Sequence, residues 1–259
     1  MMIRWPARQA PSRVVACVVL GAAILVFGNR VGASDAMSPS SDSTPDEFAA
    51  LRLRMVREQI ERRGIHDPAV LRVMSSVPRH RFVPPAMQHR AYEDAPLPIG
   101  EAQTISQPYI VAFMTEAIRP RPEDRVLEVG TGSGYQAAVL AGLVARVYSI
   151  EIRPMLADRA RAILGELGCS NVELRTGDGY AGWPEAAPFD AIVVTAAPDE
   201  VPERLIEQLR PGGRLVIPVG QEGGEQRLIR LTRTSAGLER ETLLPVRFVP
   251  MIGERPHHQ

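Results

Sequence analysis

A glycine-rich turn between a strand pattern and a helix pattern constrains the fold of this 259-residue chain more than any other feature. The turn lies in the stretch Arg125-Val-Leu-Glu-Val-Gly-Thr-Gly-Ser-Gly-Tyr-Gln136 and contains Gly130, Gly132 and Gly134. Glycines allow a tight backbone turn and the close approach of a ligand, which a Cβ atom would block. The flanking strand and helix patterns favour a cofactor site, and a purely structural glycine turn is the alternative.

The spacing of the glycines separates two classes of cofactor. A dinucleotide-binding turn has the pattern G-x-G-x-x-G/A, and its third small position corresponds here to Tyr135, which disfavours a nicotinamide cofactor. The chain instead has E-x-G-x-G-x-G from Glu128, which resembles motif I of class I S-adenosylmethionine-dependent methyltransferases. S-adenosyl-L-methionine is therefore the cofactor that this resemblance implies.

Strand and helix patterns alternate along the chain after the turn. The further predicted strands are 146–152, 172–176, 189–195, 214–219, 226–234 and 241–249. Helices are predicted between the earlier strands, one of them at 202–209, and the last two strands form an antiparallel pair. This order predicts an α/β fold with a doubly wound, mostly parallel seven-stranded sheet. Its ligand is expected at the carboxyl ends of the strands.

Two acidic residues lie at this edge, one at the end of a predicted strand and one just after a predicted strand. Glu151 lies about 20 positions after the glycines and suits the ribose hydroxyls of a nucleoside. Asp178, next to Gly179, could accept a hydrogen bond from an adenine amino group. The alternatives are an ordinary solvated acid at Glu151 and simple turn chemistry at Asp178.

Apolar residues at helical spacing predict two helices before the main domain. The first is predicted to start at Pro45, with Thr44 as its cap, and to end at Gly64; Asp67 caps the second. The stretch 78–98 holds five prolines and little periodicity, so a long loop is predicted there. Long loops in compact domains are often functional.

Ser106 precedes a further predicted helix that has Pro108 in its first turn. On spacing alone, the favoured role of Ser106 is that of a helix N-cap, because a serine oxygen accepts hydrogen bonds from unpaired backbone N–H groups. A catalytic role is the alternative interpretation of the same residue.

Composition limits the classes of partner. Basic and acidic residues balance at 30 each, and after removal of residues 1–33, which contain four arginines and no acid, 26 basic and 30 acidic residues remain. This balance predicts no basic surface for nucleic acid. The two cysteines, Cys17 and Cys169, provide neither a disulfide framework nor a cysteine metal cluster.

The amino-terminal end has the pattern of a targeting segment. Arginines precede a 14-residue apolar run at 14–27, too short to span a bilayer comfortably, and small residues follow. The predicted parts of the chain are a leader at 1–36, a linker at 37–44, a helical cap and loop at 45–100, the main domain at 101–253 and a tail at 254–259. This pattern favours export, but the cofactor implied above is made in the cytosol. A cytosolic enzyme whose true start is Met37 or Met55, or whose leader stays uncleaved, is therefore favoured over a periplasmic one.

The motifs together resemble the protein-L-isoaspartate (D-aspartate) O-methyltransferase family over roughly Phe48 to Val249. The stretches that carry the resemblance are Arg57–Ile60 with Gly64-Ile65, Pro78–Val83, Gln103–Pro108, the glycine turn, and Pro218–Gly220 through Gln226. The Gln-Thr-Ile-Ser-x-Pro pattern is the more specific signal, since motif I occurs in many methyltransferases. The leader departs from the family, whose members are usually cytosolic.

The resemblance implies an activity and a set of site residues. The reaction would be methyl transfer from S-adenosylmethionine to the free α-carboxylate of L-isoaspartyl residues in damaged proteins, with Ser106 as the catalytic residue. The residues expected to bind the cofactor are Gln103, Thr104, Ile105, Glu128, Gly130, Gly132, Gly134, Glu151, Asp178 and Gly179. Damaged proteins would be the partners of a monomer that binds neither nucleic acid nor a membrane.

Other functions fit the residues less well. A nucleic-acid or amine methyltransferase often has Asn/Asp-Pro-Pro-Tyr/Phe after the fourth strand, where this chain has Thr195-Ala-Ala-Pro198. A module that binds the cofactor without catalysis would not need the stretch 101–108. These two functions, and a class I methyltransferase with another substrate, are the alternatives to the isoaspartyl enzyme.

Overall fold

A seven-stranded sheet forms the centre of the fold. The computed structural model describes residues 47–254, which lie within one compact unit. The strands are β1 (Leu97–Gly100), β2 (Gln103–Ile105), β3 (Arg125–Val129), β4 (Arg146–Glu151), β5 (Val172–Thr176), β6 (Phe189–Val194), β7 (Leu209–Val219), β8 (Gln226–Thr234) and β9 (Gly237–Val246). The α-helices are α1 (Ala49–Met55), α2 (Pro68–Ser76), α3 (Pro108–Ala117), α4 (Tyr135–Ala141), α5 (Pro154–Glu166) and α6 (Glu203–Glu207).

The strands of the large sheet are ordered β5-β4-β3-β6-β7-β8-β9. Strands β3 to β7 are parallel, whereas β8 and β9 pair antiparallel at one edge. The predicted doubly wound, mostly parallel sheet with a terminal antiparallel pair is therefore confirmed. The direction of winding switches between β3 and β6, and in such folds the ligand crevice lies outside the carboxyl ends of the strands at the switch.

Alternating side chains of the central strands supply two cores, one on each face of the sheet. Val126 packs in the core that includes residues of α1 to α5, whereas its neighbour Leu127 packs in the core that includes α6. Val193 and Val194 of β6 divide in the same way. Because both faces are covered, the central strands β3 and β6 are largely apolar. Glu128, fully buried in the middle of β3, breaks this pattern.

The first helix starts later than the sequence predicts. The start predicted at Pro45 is wrong, because α1 begins at Ala49 and Phe48 is its N-cap. The Phe48 ring stacks on His80, with 4.1 Å between the ring centroids, so tertiary packing competes with helix extension at this point. Thr44, the predicted cap, lies outside the described residues.

The remaining predicted helix boundaries in the cap are confirmed. After α1 the chain continues through a π-helical turn, Val56–Ile60, and a 3₁₀ turn, Glu61–Arg63. Gly64 ends this run with a φ of 96°, a left-handed conformation that favours glycine. Asp67 caps α2, and its side chain accepts a hydrogen bond of 2.8 Å from the backbone N–H of Ala69.

The stretch predicted as a long loop has more regular structure than expected. Two 3₁₀ turns, Arg79–Phe82 and Pro85–Arg90, are followed by an antiparallel hairpin of β1 and β2. Glu101 and Ala102 connect the two strands with φ values of 52° and 54°. Because left-handed backbone is unfavourable for these residues, tertiary contacts must stabilise the hairpin turn. Residues of β1 alternate between buried and exposed, as in a strand, but Pro98 within it disfavours a strand in the sequence.

Several other predicted ends shift by a few residues. β4 and β6 each end one residue earlier than predicted, and α6 is shorter than 202–209. β7 starts at Leu209 rather than at 214, and β9 spans Gly237–Val246 rather than 241–249. Pairing across the sheet determines where these strands end, and sequence periodicity predicts such boundaries poorly.

The described part of the chain contains no helix of the length and apolar character that a bilayer crossing requires. The predicted leader at 1–36 and linker at 37–44 lie outside the described residues.

Candidate functional site

The glycine turn joins β3 to α4 at the carboxyl edge of the sheet. Gly130 has a φ of 94°, and a Cβ atom at this position would collide with Oγ1 of Thr195. Gly132 has a φ of 54°, and its N–H donates a 2.7 Å hydrogen bond to Oε2 of Glu151. The turn therefore needs glycine for two reasons, the left-handed backbone and the close approach of β6.

Glu151 is the last residue of β4, and its side chain is held in one orientation. Oε2 accepts a hydrogen bond from Gly132, and Oε1 accepts one of 3.0 Å from the backbone N–H of Arg153. The residue is 5% exposed. A carboxylate has about four acceptor positions, so two remain for the hydroxyl groups of a ligand.

These residues border a cavity that we name the glycine-turn cavity. It is lined by Gln103, Thr104, Val129, Gly130, Gly132, Ile150, Glu151, Ile152, Arg153, Gly179, Thr195, Ala196, Val249, Pro250, Met251 and Ile252. Six of the residues predicted to bind the cofactor thus lie together, although they come from four separate segments. They are Gln103, Thr104, Gly130, Gly132, Glu151 and Gly179.

A second cavity of about 450 Å³ adjoins the first, and we name it the Ser106 cavity. It is lined by Pro96, Thr104, Ser106, Gln107, Ile110, Thr195, Pro245, Val246, Arg247, Phe248 and Val249. Thr104, Thr195 and Val249 line both cavities. Among the described residues that line the second cavity, Arg247 is the charged one. A small anionic group bound beside Ser106 would therefore be close to a cation and to a ligand in the glycine-turn cavity.

Ser106 does not cap the helix that follows it. The N-cap of α3 is Gln107, and no side chain accepts a hydrogen bond from the first turn of α3. The capping role favoured by spacing is wrong because Pro108 occupies the first helical position and shifts the boundary by one residue. Within residues 47–254 the Ser106 hydroxyl makes no hydrogen bond, so it remains available to a ligand.

Ile105 and Gly134 are placed near the two cavities but do not line either of them. Ile105 is the last residue of β2, and its side chain is buried in the core that includes residues of α1 to α5. Gly134 is the N-cap of α4 with a φ of 87°, and its position faces α5, where an added Cβ would lie 3.2 Å from Cβ of Ala160. Gly134 thus lets α5 pack closely against the turn.

Glu128 lies beneath the glycine turn, away from the lining of both cavities. It is fully buried, Ser149 Oγ donates a short hydrogen bond to its Oε2, and Ser149 also contacts Thr131 Oγ1 at 2.5 Å. Burial raises the pKa of the Glu128 carboxyl to about 8, and the nearby Glu151 carboxylate adds to the shift. This arrangement supports the turn from below, so any contact with the cofactor would be indirect.

Asp178 fastens the carboxyl-terminal part of the described chain. Its Oδ1 accepts a 2.8 Å hydrogen bond from the Tyr180 N–H, and its Oδ2 accepts one of 2.6 Å from the Glu254 N–H. Both oxygens are therefore used by backbone donors, and Asp178 itself is not part of the cavity lining. Its neighbour Gly179 lines the glycine-turn cavity directly.

Residues 249–254, which we name the closing segment, cover one side of the glycine-turn cavity. The N–H of Met251 donates to the carbonyl of Ala197, and the N–H of Ala197 donates to the carbonyl of Val249, both at 2.8 Å. The Tyr180 hydroxyl donates to the Met251 carbonyl at 3.3 Å. No sequence motif pointed to this segment, since long-range hydrogen bonds alone bring it to the cavity.

Thr195 is a further site residue, although in the sequence its stretch only disfavours another class of methyltransferase. Its Oγ1 donates to the carbonyls of Val129 and Gly130, at 3.1 and 2.5 Å, and thereby joins the end of β6 to the glycine turn. Its place directly after β6, at the carboxyl edge, is the signal that could have identified it.

Comparison with known proteins agrees with this geometry. The family model of the protein-L-isoaspartate(D-aspartate) O-methyltransferases matches residues 52–256. The chain belongs to this family. A protein-L-isoaspartate O-methyltransferase of Gloeobacter violaceus is 58% identical over 202 residues, which cover 78% of this chain and 98% of the relative. One of Opitutus terrae is 58% identical over 205 residues, or 79% of this chain and 88% of the relative.

Two solved structures of the family share the fold. A protein-L-isoaspartate O-methyltransferase is 30% identical with a TM-score of 0.72, covering 79% of this chain and 67% of that one. A putative member from Plasmodium falciparum, solved in complex with S-adenosyl-L-homocysteine, is 27% identical with a TM-score of 0.68. That match covers 78% of this chain and 98% of the other.

Proposed function

We propose that this chain is a protein-L-isoaspartate O-methyltransferase, which esterifies the free α-carboxylate of L-isoaspartyl residues in damaged proteins. Beyond family membership, one structural observation supports the proposal most. A cavity suited to a nucleoside and a cavity containing a free serine hydroxyl meet at Thr104, Thr195 and Val249. A donor and an acceptor bound in the two cavities would be neighbours, as a direct group transfer requires.

The residues that line the glycine-turn cavity suit S-adenosylmethionine. Gly130 and Gly132 leave room where side chains would intrude, and the Glu151 carboxylate is oriented for the ribose hydroxyls. Ile150 and Met251 provide apolar surface for the adenine, between the end of β4 and the closing segment. When bound, S-adenosylmethionine supplies a methyl group on a positively charged sulfur. The backbone turn adds no side-chain charge that would oppose this cation.

In the Ser106 cavity the residues have a positioning task. A carboxylate is already ionised at neutral pH, with an ordinary pKa near 4, so the residues need not remove a proton from it. The Ser106 hydroxyl can donate a hydrogen bond to one carboxylate oxygen and leave the other free to attack. Arg247 adds positive charge at the wall of the cavity and so favours an anionic acceptor over a neutral one. Thr104 sits between the two cavities and can limit the acceptor's approach.

The product ester explains why such a reaction would serve repair. An ester carbonyl is a better target than a carboxylate, so the following backbone amide nitrogen can attack it and expel methanol. The succinimide that forms then hydrolyses, and part of it returns as a normal aspartyl residue. These later steps need no residue of this chain.

A pair of peptides tests the proposed acceptor. One peptide carries a single isoaspartyl residue and its twin carries aspartate in the same sequence, and methyl transfer from labelled S-adenosylmethionine is measured for both. We expect methyl ester on the isoaspartyl peptide and little on the twin. Equal methylation of both, or of neither while S-adenosyl-L-homocysteine still binds, would show that the assigned acceptor is wrong.

We further propose that the enzyme works in the cytosol, because S-adenosylmethionine is made there, and that it is a monomer. Mass spectrometry of the native amino terminus in separated cell fractions tests the location. A chain starting at Met37 in the cytosolic fraction would support the proposal, and a processed chain starting at Ser34 or Met37 in the periplasm would contradict it. Size-exclusion chromatography with light scattering tests the oligomeric state.

A further inference from the structure

Arg79 is a buried cation directly behind the Ser106 stretch. Its Nε donates a 2.7 Å hydrogen bond to the carbonyl of Ala91, and its Nη2 donates one of 2.8 Å to the carbonyl of Ser106. The guanidinium carbon lies 4.9 Å from the ring centre of Tyr135, the first residue of α4 after the glycine turn. One side chain thus contacts the segment before β1, the backbone of Ser106 and the start of α4.

A contribution to stability is a poor explanation for the burial of Arg79. The residue is fully buried, and its Nη1 has no hydrogen-bond partner among the described residues. Burial lowers the pKa of Arg79 to about 10, an effect that Tyr135 partly offsets, so the side chain remains charged at neutral pH. A buried charge with an unpaired donor is costly compared with an apolar side chain of similar volume. A positioning role accounts better for the residue.

The position of the Ser106 hydroxyl depends on the main chain around it, because its side chain is not held by hydrogen bonds of its own among the described residues. Ser106 makes no side-chain hydrogen bond within residues 47–254, and the α3 N-cap, Gln107, makes no side-chain cap. The location of the hydroxyl therefore depends on the main chain between β2 and α3. The hydrogen bond from Arg79 to the Ser106 carbonyl holds that main chain in place. The contact between Arg79 and Tyr135 links the same main chain to the start of α4, directly after the glycine turn.

We propose that Arg79 is a positioning residue, which holds the Ser106 backbone in place relative to the glycine turn during methyl transfer. The proposal rests on the proposed function, because it takes the Ser106 hydroxyl as the group that orients the acceptor. Arg79 touches neither the acceptor nor the cofactor in this role. Its two carbonyl contacts require a forked donor, which lysine cannot reproduce.

The test compares three variants of the full chain: Arg79→Lys, Arg79→Gln and the control Arg52→Gln. Arg52 is a second buried arginine of the cap, and it donates hydrogen bonds to the Ser75 carbonyl at 2.7 Å and to the Tyr92 hydroxyl at 3.3 Å, neither of which belongs to the Ser106 stretch. Loss of Arg52 should therefore lower stability without displacing Ser106. For each variant the melting temperature, the Kd for S-adenosyl-L-homocysteine, and the kcat and KM on an isoaspartyl peptide are measured.

We expect kcat to fall about 30-fold or more in Arg79→Gln and about 10-fold in Arg79→Lys, because small displacements of reacting groups are costly. In both Arg79 variants the affinity for S-adenosyl-L-homocysteine should stay within about threefold of that of the original chain. In Arg52→Gln the kcat should also stay within about threefold, although the melting temperature falls. A kcat for Arg79→Lys equal to that of the original chain would overturn the proposal. Equal kcat losses in Arg79→Gln and Arg52→Gln would also overturn it.

Hydrogen exchange separates this proposal from the proposed function. Residues 103–107 should exchange faster in Arg79→Lys than in the original chain, and Arg52→Gln should not show this increase. If the original chain does not methylate the isoaspartyl peptide, the proposed function fails, but faster exchange would still support the positional link. Unchanged exchange at 103–107 in Arg79→Lys would refute that link. If Arg79→Gln does not fold, Arg79→Lys decides the question.

Discussion

The glycine-turn cavity and the Ser106 cavity share three lining residues but are built in different ways. The first is formed mainly by the ends of β3, β4 and β6, and its lining includes backbone groups and two charged residues, Glu151 and Arg153. The second is formed by the strand before α3 and by residues 245–249, and it presents a hydroxyl and a guanidinium. The first therefore takes most of its shape from the large sheet and is completed by Gln103, Thr104 and the closing segment, whereas the second depends more on how distant segments dock against each other.

This difference separates two kinds of specificity. The backbone at the glycine turn itself can be altered only by changes that also affect the large sheet. Side chains of the Ser106 cavity can be exchanged while the sheet stays intact, so substrate preference can vary independently of cofactor binding. The following substitutions test that independence, in order of decreasing expected effect.

Gly130→Ala should have the largest effect, a loss of cofactor affinity of about 100-fold or more. A left-handed φ costs an L side chain roughly 1–2 kcal/mol, and the collision of the new Cβ with Thr195 adds to that cost. Calorimetric titration with S-adenosyl-L-homocysteine measures it. Gly165→Ala in α5 is the control, since nothing lies within 4 Å of its added Cβ. Equal affinities in the two variants would contradict the assignment of the turn.

Ser106→Ala should reduce kcat about 10- to 100-fold, because a hydrogen bond to a charged group contributes about 1.5–3 kcal/mol. Affinity for S-adenosyl-L-homocysteine should stay nearly unchanged, since the hydroxyl lies in the other cavity. Steady-state kinetics on the isoaspartyl peptide, together with calorimetry, measures both quantities. Full turnover in this variant would remove Ser106 from the mechanism.

Glu151→Ala should weaken cofactor binding by about 1–3 kcal/mol, through lost hydroxyl acceptors. Asp178→Ala should have a smaller effect, because both oxygens of that carboxylate bind backbone donors rather than face the cavity. Its main consequence should be faster hydrogen exchange in the closing segment. Unchanged affinity in both variants would refute the placement of the cofactor.

Arg247→Gln should raise the KM for the isoaspartyl peptide about two- to fivefold, since exposed charges contribute about 0.2–1 kcal/mol. The kcat and the cofactor affinity should not change, and the difference in KM should shrink at high salt. Arg57→Gln, an exposed arginine paired with Glu58, is the matched control. A salt-independent effect would indicate packing rather than charge.

Glu128→Gln should leave cofactor affinity nearly unchanged and alter the pH dependence of stability. The folded-state pKa of Glu128, about 8, lies above its ordinary value of 4.5, so the folded chain holds a proton that the unfolded chain has lost. Stability should therefore fall as the pH rises between these values, by at most ~1.4 kcal/mol per pH unit from this group. Denaturant melts from pH 5 to 8 should show a weaker decline in Glu128→Gln. Parallel declines in both proteins would contradict this.

The cofactor half of the site could be predicted well from sequence because its information is local. A strand, a turn and the start of a helix occur within twelve residues, and each parallel strand that follows ends at the same edge of the sheet. Gly130, Gly132 and Glu151 were therefore identified by their position at the ends of predicted strands, whereas Gly179 came from the resemblance to the family, and the same positional signal pointed to Asp178, which does not line the cavity. Gly134 and Glu128 belong to the same motif, yet they support the turn from behind. A motif reports which residues the turn needs but not which of them face the ligand.

Ser106 shows where spacing misleads. Its position before a helix predicted a cap, and the resemblance to the family predicted a catalytic residue. The structure decides against the cap, because Pro108 sets the start of α3 and makes Gln107 the boundary residue. A difference of one residue in a helix boundary thus leaves the hydroxyl free within the described part of the chain.

Sequence alone determined the α/β class, the order of the strands along the chain and the glycine turn, because these depend on short-range periodicity and on backbone conformations that glycine favours. Tertiary structure alone decided that residues 249–254 cover the cavity, that Asp178 holds them, and that Arg79 contacts the Ser106 backbone. Each of these contacts joins residues that are tens of positions apart. Their formation depends on how the cap, the sheet and the carboxyl-terminal part of the chain pack together, and periodicity within one segment carries no record of that packing.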